Sequence, residues 1–552
     1  MRRELRYIPL SMLFLVVIVG AVHAWAARHS MNPDGIAYLE MGEAYLRGDW
    51  GRALNAYWSP VYAVILASVN RVIAPTAYWE FTVIHGINFV IYLFAFFAFL
   101  YMLSGLLRLA DDSMGEHKKA FITFAISLFL VTSLNLITLA VVTPDLLLSA
   151  FLYLACGLLL RMKKSQYGLV IPITLGVVLG LGYLIKAPLF LISLLFIVVV
   201  YGVSRNIKKT ALVAFFFLAV AIPFLLILSG KAGHLTFGDS GWLNFVWYTN
   251  DVKEHIHWQG GGPNGDPIHP TRRIYKSPDV FEFREPISAT YAPWYDPVYW
   301  NEGLVGRFNL RGIMTNMLRN AKEYYFLFFT YYNSVLAGLA VLFFMSERRK
   351  DFILNTILVS WPVLVVSLSG IGMYFVGVVR DRYTAPFILL FLLILVFGAS
   401  VSISTRTREV KGVLRAMTCI LFVVLVGSSL GDVVRASRVD DTSEHIQWRV
   451  ASELNKHGVV AGSEVAYIGH TFNGLAAYWA YIGRMRIVAE IPTGEDAYFW
   501  GADSGLQENV LSILRKTGAE AVIAESLPAN RAFHGWEQLG DTGYFVYKLY
   551  SL

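Results

Sequence analysis

Cysteine and charge are both scarce in this 552-residue chain. Its two cysteines, Cys156 and Cys419, lie inside apolar runs, so the sequence predicts no disulfide framework. Charged residues make up 15% of the chain and hydrophobic residues 56%, which excludes an ordinary soluble domain. The net charge of +7 comes from Lys and Arg grouped in short loops, and no basic patch interleaved with aromatics indicates nucleic acid.

Long apolar runs are abundant instead. A shorter run at 59–75, interrupted by Asn70 and Arg71, predicts a helix lying at the membrane interface. The first long run follows a basic start like that of a signal peptide, but its length predicts a retained anchor. Eleven runs predict transmembrane helices, at 7–27, 78–107, 120–140, 146–160, 168–185, 187–204, 210–229, 323–345, 352–377, 384–404 and 416–434.

Clusters of Lys and Arg predict the orientation of these helices. With a cytoplasmic N-terminus, the basic clusters all fall inside, and the short outside loops hold only Lys186, Arg380 and Arg382. This bias is what the positive-inside rule describes. If 59–75 were a span, every later cluster would lie outside. Three external parts follow from this topology, at about 28–77, about 230–322 and from about 435 onward.

The tail alternates helical and strand patterns. This predicts a small external α/β domain at 435–552, after a membrane domain at 1–434. The segment at 469–474 lacks the lysine of a P-loop and the glycine spacing of a dinucleotide site, so we interpret it as a structural turn. The predicted helices are 443–457, 472–482 and 506–516, and the predicted strands are 465–469, 486–491, 521–525 and 545–549.

Two aspartates stand at the predicted outer boundary of the membrane. Asp34 lies in an Asn-Pro-Asp-Gly turn after the first run, and Asp145 closes a Thr-Pro-Asp sequence at the start of the fourth span. Each also fits a structural role, because acids cap helices or favour their positive ends. The topology brings both to one face of the membrane, where ionisable groups are functional candidates. We therefore predict that the two are catalytic.

Cations in the external parts suggest an anionic ligand. Lys186, Arg380 and Arg382 stand against the orientation bias, and the alternative is that they snorkel to lipid headgroups. Arginine suits bidentate phosphate contacts, and lysine acts as a point charge. The predicted ligands of a donor phosphate are Lys186, Arg272, Arg273, Arg380 and Arg382.

The first and the long external loops are rich in aromatic and polar residues. Flat rings can stack on sugars, and carboxylates can accept hydrogen bonds from hydroxyls, whereas the alternative is an aromatic belt at the membrane edge. His255 and His257 give only a weak indication of a metal, because no further ligands follow at a known spacing. The predicted sugar or acceptor residues are Tyr38, Tyr57, Trp58, His269, Glu282, Trp294, Asp296, Tyr299, Trp300 and Glu302.

The order of the spans and the acid in the first external loop resemble the GT-C superfamily of membrane glycosyltransferases. Within it, the chain resembles bacterial relatives of the protein mannosyltransferases and aminoarabinose transferases. The motifs that carry this resemblance lie at 32–35, 57–60 and 291–303, and it covers residues 1–434. It implies an α-helical polytopic fold in the bacterial inner membrane, with Asp34 as catalytic acid and Asp145 as second acid. The superfamily's usual Asp-Glu pair is absent, since Gly35 follows Asp34.

These features predict transfer of a sugar from a polyprenyl-phosphate donor to a periplasmic glycan, lipid or protein, with inversion and with Asp34 as base. No nucleotide or metal is expected to be required, because lipid phosphate is already a good leaving group. The alternative is a transporter or flippase of a lipid-linked or anionic substrate, although transporters place their polar residues near the bilayer midplane. A third interpretation is a noncatalytic binding protein that acts through its tail.

Overall fold

A computed structural model describes most of the chain. The described residues are 8–110, 114, 117–162, 168–252, 256–346, 349–403, 406–438, 443–469, 476–528 and 533–549. The basic N-terminal start, His255 and most of the predicted turn at 469–474 lie outside them.

Helices dominate, and a single sheet gathers the strands. The helices are α1 (Leu10–Ala26), α2 (Pro33–Arg47), α3 (Trp50–Ala53), α4 (Pro60–Ile73), α5 (Ala77–Leu109), α6 (Lys118–Val131, continued by a π-helix Thr132–Ile137), α7 (Asp145–Met162), α8 (Val170–Ile185), α9 (Leu189–Ser204), α10 (Ile207–Ala232), α11 (Ser240–Thr249), α12 (Ala292–Tyr295), α13 (Pro297–Trp300), α14 (Leu310–Tyr331), α15 (Asn333–Met345), α16 (Arg349–Val376), α17 (Asp381–Ser402), α18 (Thr407–Ser437), α19 (Ser443–Lys456), α20 (Ala476–Ile482), α21 (Asp496–Gly501) and α22 (Ser504–Lys516). The strands are β1 (Arg272–Tyr275), β2 (Val280–Glu282), β3 (Glu464–Gly469), β4 (Arg486–Pro492), β5 (Ala521–Ala524), β6 (Trp536–Gln538) and β7 (Phe545–Lys548).

Each of the eleven predicted membrane runs coincides with helix. Six helices are long and apolar enough to cross a membrane: α5, α6 with its π-helical continuation, α7, α10, α17 and α18. The bent pair of α14 and α15 is a seventh candidate, and α1, α8, α9 and the Ser360–Val376 part of α16 are shorter apolar helices. The chain is therefore a multi-pass membrane protein, while the count of eleven spans and their orientation stay predictions.

The run at 323–345 is not the one straight helix that its apolar pattern predicts. Helices α14 and α15 meet at an angle of 81°. Between them Tyr332 leaves helical geometry, with φ −120° and ψ 13°. Its fully buried hydroxyl lies 3.0 Å from the hydroxyl of Thr132 in the π-helix. Neither proline nor glycine marks this break, so the hydrophobic pattern alone does not reveal it.

The first external loop folds into three short helices. The predicted interfacial helix is α4, whose 14 residues are too few to cross a bilayer and whose Val72 and Ile73 are exposed. It packs closely on α2, because a Cβ on Gly42 would lie 2.3 Å from the Ala63 carbonyl oxygen. This contact fixes α2, whose first turn carries Asp34, against the predicted interfacial helix.

The seven strands form one mixed sheet in the order β1-β2-β4-β3-β5-β7-β6. Strands β3, β4 and β5 run parallel, which matches the predicted alternation of helix and strand. All four predicted tail strands are present, and helices are described at the three predicted helical segments. β1 and β2, however, come from the long external loop, and Phe281 of β2 pairs with Glu490 of β4. The division at residue 434 stays a prediction, but the sheet draws on both sides of it.

Candidate functional site

Asp34 lies in the first turn of α2 but does not cap it. The N-cap is Asn32, whose side-chain oxygen accepts a hydrogen bond from the Val142 amide at 2.8 Å. Gly35 permits this approach, since a Cβ there would lie 2.8 Å from the Cβ of Val142. The capping alternative for Asp34 is therefore wrong, and its carboxylate is turned to other partners.

Two side chains from distant parts of the sequence donate to the Asp34 carboxylate. Arg382 Nη2 lies 2.7 Å from Oδ2, and Trp294 Nε1 lies 3.2 Å from Oδ1. The side chain of Asp34 is 16% exposed. A charged acceptor with two donors is held in one orientation, because charge-assisted hydrogen bonds are short and strong.

Asp145 is the first residue of α7 and is almost completely buried, with 2% of its side chain exposed. Lys186 Nζ donates to Oδ1 at 2.5 Å, and Arg382 Nε lies 3.5 Å from Oδ2. A helix start also favours an acid through the positive end of the helix dipole. The structural and the functional interpretation of Asp145 are therefore compatible.

Arg382 thus joins the two predicted catalytic acids into one group, which we call the charge cluster: Asp34, Asp145, Lys186 and Arg382. The two carboxylates balance the two cations. The ring of Tyr383 packs against both cations, with its centroid 3.7 Å from Lys186 Nζ and 5.2 Å from Arg382 Cζ. Because a buried charge without a partner is costly, each member holds the others in place.

A cavity of about 940 Å³ opens beside the charge cluster. Lys186 and Tyr383 belong to its wall, whereas Asp34, Asp145 and Arg382 lie behind that wall and do not line the cavity. This volume is that of a small-molecule site. The predicted site residues in its lining are Tyr38, Tyr57, Trp58, Lys186, Asp296, Tyr299 and Glu302.

Aromatic rings connect the cavity to Asp34. The ring of Tyr57 lies 4.6 Å from that of Trp58 and 5.7 Å from that of Trp294, centroid to centroid. Tyr38 meets Trp58 edge to face at 5.1 Å. Since Trp294 donates to Asp34, the aromatic wall and the carboxylate are in direct contact through one indole. Rings of this kind offer flat apolar faces together with a polar edge.

His269, Tyr299 and Glu302 form another predicted part of the site. His269 stacks on Tyr299 with centroids 4.4 Å apart, and its Nε2 lies 3.2 Å from Glu302 Oε2. Asp296 accepts a hydrogen bond from the Tyr299 amide and so caps α13. Burial raises the pKa of Asp296 to about 6, against the opposing charge of Lys231.

The structure does not place Arg272 and Arg273 with the aspartates. Arg272 pairs with Glu282 directly across the β1–β2 ladder, and Arg273 Nη1 lies 3.1 Å from Asp279 Oδ2. None of these side chains lines the cavity. Cross-strand pairs of opposite charge stabilise a hairpin, so these residues have a structural explanation. The phosphate role of the arginines and the acceptor role of Glu282 stay predictions, and these side chains lie apart from the charge cluster.

Trp300 and Arg380 also lie apart from the charge cluster. Trp300 is buried inside the long loop, where its Nε1 donates to the Ala292 carbonyl at 2.9 Å, and it does not line the cavity. Its role as a sugar contact stays a prediction. Arg380 is exposed and donates to the Tyr248 hydroxyl at 3.1 Å. It stands two residues from Arg382 but outside the charge cluster.

Lys231, His234 and Asp239 line the cavity and were missed in the sequence. Asp239 accepts from the Thr236 hydroxyl at 2.6 Å and lies 3.3 Å from His234 Nε2. Lys231 Nζ donates to the Gly51 carbonyl at 2.6 Å. These residues follow the predicted outward end of a span. The same position drew attention to the residues of the charge cluster, so it could have identified these three as well.

Among the described residues, the structure adds no further ligands to the weak indication of a metal at His257. His257 Nδ1 lies 2.9 Å from the Thr271 hydroxyl, and its Nε2 contacts Glu490. In the part of the chain that the structure describes, no three His, Cys, Asp or Glu side chains gather as a metal site requires. The expected independence of a metal stays a prediction.

No protein-family model and no curated protein matches the chain. Solved structures resemble it over most of its length. The apo structure of ArnT from Cupriavidus metallidurans, an aminoarabinose transferase, matches 93% of this chain and 93% of its own length. The identity is 12% and the TM-score is 0.49. Bound to undecaprenyl phosphate, ArnT covers 99% of both chains at 13% identity and a TM-score of 0.44.

The oligosaccharyltransferase of Archaeoglobus fulgidus, tethered to an acceptor peptide, covers 95% of this chain and 69% of its own at 11% identity and a TM-score of 0.44. These likenesses assign neither an activity nor residue roles to this chain.

Proposed function

We propose that the chain is a glycosyltransferase that moves a sugar from a polyprenyl-phosphate donor to an acceptor at the outer face of the membrane. The observation that carries the proposal is the charge cluster beside the cavity. Arg382 contacts Asp34 at 2.7 Å and Asp145 at 3.5 Å, and Lys186 belongs to both cluster and cavity wall. A base, two cations and an aromatic cavity are what sugar transfer from a lipid phosphate requires.

In the proposed reaction, Asp34 accepts the proton of the acceptor hydroxyl while that oxygen attacks the anomeric carbon. The bond between this carbon and the phosphate oxygen breaks, and polyprenyl phosphate leaves with the bonding electrons. Attack opposite to the leaving group inverts the anomeric centre. General base catalysis of this kind contributes about two to four powers of ten to the rate.

The cations act on the leaving phosphate. Arg382 and Lys186 provide positive charge where negative charge grows, and such preorganised charge lowers the barrier. Asp145 touches both cations and keeps them in position. Tyr57 and Trp58 of the cavity wall orient the sugar, which reduces the entropic part of the barrier. The acceptor class is a glycan, lipid or protein hydroxyl on the same side of the membrane.

The test uses purified protein in lipid nanodiscs with a panel of synthetic polyprenyl-phosphate sugars and an envelope extract as acceptor source. We expect release of free polyprenyl phosphate and transfer of the labelled sugar for at least one donor. The transporter alternative predicts a different result in proteoliposomes, where the labelled lipid would cross the bilayer intact. Movement without cleavage, together with no labelled product from any donor, would overturn the proposal.

A further inference from the structure

The C-terminal sheet approaches the charge cluster through one short piece of the long external loop, residues 290–295, which we call the strap. We propose that the sheet is a positioning element of the active site, because it holds the strap so that Trp294 keeps its hydrogen bond to Asp34. This inference rests on the proposed function of Asp34 as the base. It gives the tail a part in the reaction beyond folding.

The strap is joined to the backbone of β4. The Ile487 amide donates to the Thr290 carbonyl at 3.0 Å, and Tyr291 forms a parallel bridge with Ile487. Upstream, the Phe283 amide donates to the Val488 carbonyl at 2.9 Å. Main-chain hydrogen bonds thus connect the loop to β4 at Phe283 and again at the start of the strap, so the position of β4 sets the position of the strap.

A buried side-chain contact strengthens this attachment. The Tyr291 hydroxyl donates to Glu490 Oε1 at 3.0 Å, and both residues are buried, with 4% and 3% exposed. His257 contacts the same carboxylate oxygen. A hydroxyl that donates to a buried carboxylate is both strongly bound and strongly directed. Tyr291 is therefore anchored to the sheet by its side chain as well as its backbone.

The helix that carries Asp34 holds the strap from the opposite side. Glu40 of α2 accepts hydrogen bonds from the Thr290 amide at 2.8 Å and from its hydroxyl at 2.9 Å. At the other end, the Tyr295 carbonyl accepts from Asn55 at 2.8 Å and from the Trp58 indole at 3.0 Å. The strap is consequently fixed between the sheet and the first external loop.

Trp294 lies between these anchors. The amides of Trp294 and Tyr295 both donate to the Tyr291 carbonyl, at 3.2 and 3.1 Å, so the strap forms one tight turn. The Trp294 ring contacts those of Tyr57 and Trp58, with centroids 5.7 and 5.8 Å away, so a shift of the indole requires these rings to repack. A change at Tyr291 is therefore expected to reach Asp34 through Trp294.

The test compares Tyr291→Phe, which removes one hydroxyl, with the control Tyr275→Phe on β1 of the same sheet. In the donor-cleavage assay, we expect Tyr291→Phe to lower kcat about tenfold, the effect of one weakened charge-assisted hydrogen bond, while KM for the donor stays within about twofold. Tyr275→Phe should match the wild type. In a Trp294→Phe background, Tyr291→Phe should cause no further loss of kcat, because contacts acting through one path are not additive.

Hydrogen–deuterium exchange gives a second readout that needs no activity. Tyr291→Phe should speed amide exchange in residues 290–295, while β3 and β5 keep wild-type protection. Wild-type kcat, unchanged exchange in the strap, or an equal loss of kcat with and without Trp294 would overturn the inference. Full activity of Asp34→Asn would remove the proposed function itself, whereas an inactive Asp34→Asn with a wild-type Tyr291→Phe would refute only the role of the sheet.

Discussion

Arg382 holds the site together at the scale of single residues. Its guanidinium reaches both aspartates, and it lies one residue before Tyr383, whose ring contacts Lys186. A planar guanidinium can serve two carboxylates at once, which a lysine ammonium does less well. The spacing of the two acids therefore depends on one side chain at the start of α17.

Removing the buried carboxylate of Asp145 is expected to destabilise the protein. In Asp145→Asn, Lys186 loses its partner at 2.5 Å in a largely buried position, so we expect a loss of about 3–5 kcal/mol in the free energy of unfolding. Unfolding in detergent micelles measures this loss. The control is Glu43→Gln, which breaks an exposed pair with Arg47 and should cost about 0.5 kcal/mol or less. Equal stabilities of the two variants would contradict this explanation of the charge cluster.

The grouping of these charged residues could be predicted because the order of the spans along the sequence decides on which side of the membrane each loop lies. Once the spans are known, Asp34, Lys186 and Arg382 must lie at one membrane face. The order of the spans does not show whether a cation forms an ion pair with a neighbouring acid. Arg272 therefore looked available for phosphate, although its partner Glu282 faces it across a hairpin whose connecting loop, 276–279, has only four residues.

At the scale of elements, α2 connects the reaction to the loop that covers it. Asp34 stands at its first turn and Glu40 almost two turns later, where the carboxylate accepts two hydrogen bonds from Thr290. The same helix is packed on α4 through Gly42. One short helix thus sets the relative positions of the acid, the strap and the interfacial helix.

Glu40 is expected to make stability depend on pH. Burial raises its pKa from 4.5 to about 7, against the hydrogen bonds from Thr290. Between these values the folded protein binds more protons at Glu40 than the unfolded chain does, so the free energy of unfolding falls as pH rises, by up to about 3 kcal/mol. Melting temperatures from pH 5 to 8 measure this slope.

Glu40→Gln keeps the acceptor oxygen but removes the titration, so its melting temperature should vary less over the same range. Glu508→Gln, which changes an exposed carboxyl on α22, should retain the wild-type slope. A wild-type slope in Glu40→Gln would show that another group causes it.

Helices were largely predictable, because each apolar run must be helical to satisfy its backbone in a membrane. The bend at Tyr332 was not predictable, since neither proline nor glycine marks it. The pairing of β2 with β4 was hidden as well. Strand β2 (Val280–Glu282) is only three residues long, and its partner β4 lies more than 200 residues later. No local sequence pattern therefore indicates the pairing.

At the scale of the whole molecule, the tail is attached to the membrane part by an ionic contact to a buried carboxylate. Arg484 Nη2 lies 2.6 Å from Glu80 at the start of α5, and the Tyr481 hydroxyl donates to the same carboxylate at 2.7 Å. The tail also packs against α2 of the first loop. The sheet, the first external loop and the start of α5 therefore lie on one side, as the predicted topology requires.

The orientation of that side is testable with reporters fused after Leu552. An alkaline phosphatase fusion, which is active only outside the cytoplasm, should show activity, and a green fluorescent protein fusion exported by the general secretion route should be dark. The reason is the concentration of Lys and Arg on the opposite side of the spans. Fluorescence together with an inactive phosphatase would invert the map and place the charge cluster at the inner face.

The most direct measurement is donor cleavage by Asp34→Asn, with Asp49→Asn, which alters the cap of α3 in the same loop, as its matched control. If Asp34 is the base, release of polyprenyl phosphate should fall by at least about a hundredfold, while the control keeps its rate. A rate for Asp34→Asn equal to that of the wild type would contradict the central claim.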